Sequence, residues 1–105
     1  MEVLHLNKES FEKLTAQTEK PVLVDFWATW CGPCVKLAPE LEALAAEHDE
    51  IIVGKINIED AENQALAIQL GINSIPALFF YRDGKLAKQL VGYMKKDALA
   101  KQLEL

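Results

Sequence analysis

From Val22 to Ala28 the chain is almost entirely apolar and rich in β-formers, as a strand covered on both faces of a sheet would be. From about Pro33 to His48 the period changes. Leu37, Leu41, Leu44 and Ala45 fall on one stripe, which predicts a helix packed by that stripe, with Pro39 placed to kink it. Ile51 to Ile58 is again β-branched and apolar. Strand, helix and strand make a βαβ unit, right-handed by the usual rule, so the sheet is parallel there. Ahead of the unit, Asn7 is positioned to cap a helix whose Phe11 and Leu14 share a face, and Pro21 marks the break before the central strand.

Beyond the unit, Asp60 is placed to cap a helix that runs to Leu70 and ends at Gly71. Residues 77–81 and 86–91 read as strands around Arg82-Asp83-Gly84-Lys85, and the Asp-Gly pair predicts an antiparallel hairpin. A last helix, about Lys95 to Leu103, buries Leu99 and Leu103, with Asp97 in its first turn where the helix dipole favours an acid. The element order is βαβαβαββα. An α/β fold with a mixed central β-sheet and helices on both faces is the simplest packing of those elements.

Composition narrows the functional classes. A chain of 105 residues, half of them hydrophobic, predicts a single domain over residues 1–105. With 16 acidic against 11 basic residues and a net charge of -5, it lacks the clustered positive charge that grips nucleic acid or anionic lipid. No apolar run reaches the roughly 20 residues of a membrane helix, and Met1 to Asn7 shows no basic segment followed by an apolar stretch. The expectation is a soluble, unexported, cytoplasmic monomer with no nucleic-acid or membrane partner.

Two cysteines three positions apart close almost no loop, so a bridge between them adds little stability by the chain-entropy argument. They are kept for chemistry, which fits a reducing compartment. Cys31 and Cys34 sit in Trp30-Cys31-Gly32-Pro33-Cys34, where a strand ends and a helix begins. The unpaired N–H groups and positive dipole of a helix start favour an anion, so Cys31 ionises more easily than a free thiol and is the nucleophile. Cys34, one turn further in on the same face, is the resolving thiol. Pro33 lacks an N–H that the first turn would leave unpaired, and Gly32 admits a close backbone. The competing readings are a pair of inert core thiols and half of a zinc site. Zinc normally takes four ligands, and His5 and His48 are distant with no paired spacing, so no metal is expected, and no cofactor beyond the cysteine pair itself.

The segments Trp30-Cys31-Gly32-Pro33-Cys34, Val24-Asp25-Phe26-Trp27-Ala28, Ile75-Pro76 and Val91-Gly92 resemble the thioredoxin family, and the match runs the length of the chain. The resemblance implies the thioredoxin fold and dithiol reduction of disulfide-containing protein substrates, with electrons supplied by a flavin-containing thioredoxin reductase. Two other readings stand beside it: a disulfide oxidase or isomerase on the same fold, and a binding subunit whose redox chemistry is incidental.

Asp25 interrupts an apolar strand, and a carboxylate there is costly to bury unless it is paired or its pKa rises. The resemblance implies that it lies behind Cys34 and helps take its proton. Lys55 interrupts the next strand and is expected either to pair with Asp25 or to carry its amine out to water. Trp27 is expected to serve packing and Trp30 to lie at the surface. The resemblance further implies that the Ile75-Pro76 bond is cis and faces the disulfide, with the Ile75 backbone free to pair with a substrate strand, and that Trp30, Gly32, Pro33, Ile75, Pro76 and Gly92 form a flat apolar contact patch. Departures from the family pattern are Val35, where lysine is frequent, Ala77 in place of threonine, and Tyr93 in place of a small residue. Lys95 replaces a capping hydroxyl, which predicts a weaker start to the last helix.

Overall fold

Five strands and four helices follow one another as β1 (Leu4–His5), α1 (Lys8–Ala16), β2 (Val22–Trp27), α2 (Gly32–Glu47), β3 (Ile52–Asn57), α3 (Ala61–Gln69), β4 (Ala77–Arg82), β5 (Lys85–Val91) and α4 (Lys96–Gln102) in a computed structural model that describes all residues from 1 to 105. The order is the expected βαβαβαββα, although the two-residue β1 has no hydrophobic run of its own to mark it. Asn7 caps α1 by accepting from the Ser10 N–H at 2.8 Å, while the Ser10 hydroxyl accepts from the Asn7 N–H at 2.9 Å. Asp60 caps α3 through the Glu62 N–H at 3.0 Å, and Gly71 leaves that helix at φ +76°.

The sheet order is β1-β3-β2-β4-β5. β2 runs parallel to β3 and antiparallel to β4, so it lies at the centre, as a run apolar everywhere but Asp25 suits. Side chains alternate across it. Leu23 faces Leu37, Leu41 and Leu44 of α2 and Leu99 of α4, whereas Val22, Val24 and Phe26 face Phe11 of α1 and Leu66 of α3. Helices therefore cover both faces. Helix α2 continues through Pro39 as one 16-residue element.

The two edges differ. β1 is only two residues long. β5 is exposed along almost its whole length, carries Lys85 and Lys88, and loses register against β4 near Tyr81. Shortness, charge and a bulge each discourage edge-to-edge association. Asp83 (φ 54°) and Gly84 (φ 75°) make the two-residue turn between β4 and β5. No helix is long and apolar enough to cross a membrane.

Candidate active site

The chain leaves β2 at Trp27, turns, and enters α2 at Gly32. The Cys31 N–H donates to Ala28 O at 3.2 Å, closing the turn, and the Val35 N–H donates to Cys31 O at 3.1 Å, opening the helix. Cys31 is the N-cap: its Sγ accepts from the Cys34 N–H at 3.2 Å, in the position a serine or aspartate oxygen usually fills. Pro33 lies in the first turn, where its missing N–H costs nothing.

Cys31 and Cys34 are joined by a disulfide with Cα atoms 5.2 Å apart, inside the range such bridges span without distortion of the backbone. Cys31 is 6% exposed and Cys34 1%. The sulfur nearer the helix start is therefore the one an incoming group meets. Both pack with Ala28 and against Trp27, Ile58 and Ile75. No cluster of three His, Cys, Asp or Glu side chains is arranged to hold a metal ion.

Asp25 is completely buried, and neither carboxylate oxygen has a hydrogen-bond partner in the chain. It stands between Leu23, which packs on α2, and Trp27, which packs beside the cysteines, so strand alternation puts it on the face beneath the first turns of α2. Burial drives its pKa up to about 7, with the Lys55 charge pulling in the other direction.

Lys55 is the register neighbour of Asp25 across the β2/β3 ladder, but the two do not form the ion pair considered from sequence. Paired side chains in a parallel ladder stand side by side, and the long lysine stem carries its ammonium past the carboxylate to 4.2 Å from the centre of the Trp27 ring. It acts on Asp25 through space. Trp27 is thus half-buried packing with a cation on its face.

The Ile75-Pro76 bond is cis. Ile75 O lies 3.8 Å from Cys31 Sγ; with the cysteines bridged that sulfur carries no proton, so this is a contact and not a hydrogen bond. The Ile75 N–H makes no hydrogen bond within the chain. Trp30 is 71% exposed, Gly32 and Pro33 are exposed, and Ile75 and Gly92 are half-buried. Pro76 departs from the expected patch: it is buried. Its carbonyl accepts from the Gly92 N–H at 2.9 Å, which ties the two loops beside Cys31 together.

Three polar contacts around the site escape the sequence pattern. Both oxygens of Glu59 bind Thr29, one accepting from its N–H at 2.7 Å and the other from its hydroxyl at 3.0 Å, which holds the loop that carries Trp30. These bonds lower the Glu59 pKa. Lys95 indeed offers no side-chain cap to α4, but Glu40 of α2 accepts from the Lys96 N–H at 2.8 Å and supplies one from another helix. Lys36 places its ammonium 4.4 Å from the centre of the Tyr93 ring. Away from these, a groove of about 480 Å³ lies between the first residues and α2, lined by Val3, His5, Leu41, Glu42 and Lys55 among others.

Comparison with known proteins agrees with this geometry. Residues 2–105 match the family model described as Thioredoxin. A thioredoxin of Alicyclobacillus acidocaldarius is 50% identical over 88 residues, covering 83% of this chain and 82% of that one. A thioredoxin of Haemophilus influenzae is 42% identical over 100 residues, covering 94% and 92%. Among solved structures, thioredoxin f of spinach chloroplast superposes with a TM-score of 0.88 at 32% identity, covering 98% of this chain and 91% of that one.

Proposed function

The chain belongs to the thioredoxin family, and we propose that its protein-disulfide reductase activity is divided among Cys31, Cys34, Asp25 and Lys55 as follows. The Cys31 thiolate attacks one sulfur of a substrate disulfide, forming a bond to that sulfur and releasing the other as a thiolate. Cys34 then loses its proton toward Asp25 and attacks Cys31 Sγ. The Cys31–Cys34 bond closes and the second substrate sulfur departs, so two electrons have passed to the substrate.

The observation that carries this reading is the cap itself: Cys31 Sγ receives the Cys34 N–H at the start of α2 and is the less buried of the two sulfurs. A sulfur in that position is held as an anion by the same N–H groups that would hold a carboxylate. Asp25, with a pKa near neutrality, suits a group that must accept and return a proton at physiological pH. Lys55 tunes it by charge at a distance. The open Ile75 N–H and its carbonyl offer a substrate strand main-chain pairing, which ignores side-chain identity and suits many partners, while Trp30, Gly32, Pro33 and Gly92 supply apolar contact around it.

Re-reduction of the pair falls to a flavin-containing thioredoxin reductase, and a reducing, cytoplasmic setting fits a bridge that closes so short a loop. The whole chain from residue 1 to 105 acts as one domain and as a monomer. The test is Cys34→Ser. It should trap cell-extract proteins on Cys31 as mixed disulfides that dithiothreitol releases; a variant that traps nothing refutes the division of roles. A strongly oxidising equilibrium with glutathione would instead make the protein an oxidase.

A further inference from the structure

Lys36 lies in the second turn of α2, two residues beyond Cys34, with an exposed side chain. Tyr93 follows Gly92, is half-buried, and packs against the apolar cluster beneath α2 and α4. The core holds the ring from one side and the Lys36 ammonium meets it at 4.4 Å from the centre. A side chain that would otherwise sample many rotamers is thereby seated. Helical spacing puts Lys36 on the same stripe of α2 as Glu40, and Glu40 reaches α4 at the Lys96 N–H. Pro33 lies one turn before Lys36 on the same side of the helix and Gly92 immediately precedes Tyr93, so the contact joins the start of α2 to the Gly92 loop.

No carboxylate lies within ion-pair distance of the Lys36 ammonium. Lys36 takes part in no ion pair, while Glu40 is engaged by the Lys96 N–H and Glu47 by the Lys96 ammonium. In a chain of net charge -5 this is a fixed positive point in the second turn of the helix that Cys31 caps. The carboxylate of Glu59 is bound to Thr29, next to Trp30.

We propose that Lys36, seated on Tyr93, is a specificity-determining residue that favours protein substrates carrying Asp or Glu beside the target disulfide, on the segment lying against Pro33 and Gly92. The proposal rests on the disulfide-reductase reading. Fixing the ammonium in place removes most of the entropy that normally cancels an exposed charge pair, and like charge at the same spot is repelled. Lysine-flanked disulfides are thus disfavoured by the element that attracts acidic ones.

Pre-reduced protein is mixed with synthetic peptides, each with one intramolecular disulfide and identical except for Glu, Gln or Lys flanking either cysteine; its oxidation is followed by tryptophan fluorescence. At low salt the Glu peptide should react about threefold to tenfold faster than the Lys peptide, with Gln between, and the ratio should shrink at high salt. Lys36→Gln should bring the ratio to about one, and Lys36→Glu should invert it. Tyr93→Leu, which keeps the packing but removes the ring, should give an intermediate ratio. Lys13→Gln, an equal charge change on distant α1, should keep the ratio of the unaltered protein. Equal rates for all three peptides, or a Lys36→Gln ratio that stays high, overturn the proposal and leave disulfide reduction standing. Failure to oxidise with any peptide overturns both.

Discussion

Replacing Asp25 by Asn removes an ionisable group from the centre of the sheet while keeping its shape, and the structure sets the size of the effect. An ordinary carboxylate titrates at 3.8, as Asp25 does in the unfolded chain, whereas in the folded protein burial holds it at about 7. Between those values the folded state binds more protons than the unfolded one, so stability falls as pH rises through that window and the loss is complete above the folded pKa. At about 1.4 kcal/mol per pH unit the gap corresponds to about 4 kcal/mol. The Asn variant escapes it. Its own cost, a buried amide with unmet hydrogen bonds, is the same at every pH and cancels in the difference of differences. Urea unfolding of the oxidised proteins at about pH 4 and about pH 8.5 should therefore show the Asn variant gaining about 4 kcal/mol on the parent between the two. Working with the disulfide intact removes cysteine titration. Parallel stability profiles, within about 1 kcal/mol, would mean that the folded carboxylate titrates normally and that burial does not control it.

Lys55→Met removes the charge that opposes burial, so the Asp25 pKa should move above about 7; carboxyl NMR would show it, and an unchanged midpoint would sever the two residues. Glu40→Ala deletes the cap that α2 lends to α4 and should cost about 1 kcal/mol in urea, while Lys95→Ser, which restores a local cap, should recover part of it. Gly84→Ala places a Cβ 3.1 Å from Ala16 O at φ +75° and should cost about 1–2 kcal/mol, read as a lower Tm with a normal midpoint for disulfide exchange.

Much of the fold was legible because its signals are local. The apolar run of β2, the stripe on α2, and the caps Asn7 and Asp60 each lie within a few residues of the element they define, and the cysteine motif marks its own place at a strand-to-helix switch. What escaped depends on residues distant in the chain. Thr29 and Glu59 are 30 positions apart and both exposed, so no periodicity links them. Glu40 and Lys96 are separated by 56 positions, and the missing cap at Lys95 is visible while its replacement is not. Lys55 and Asp25 were brought to one register by the ladder, yet the direction of a long side chain is decided by what it finds, here the face of Trp27. Pro76 entered the contact patch on the family resemblance alone, and no local signal marks that it is buried with its carbonyl tied to Gly92, 16 positions away.

A helix that receives a sulfur as its cap also sets how hard that sulfur can push. Whatever steadies the anion steadies the dithiol form, and by about 30 mV for each 1.4 kcal/mol it makes the couple a worse donor and a better acceptor of electrons. A start to α2 that gripped Cys31 much harder would turn a reductant into an oxidant without altering a bond. Val35, directly after Cys34, adds no charge to that grip.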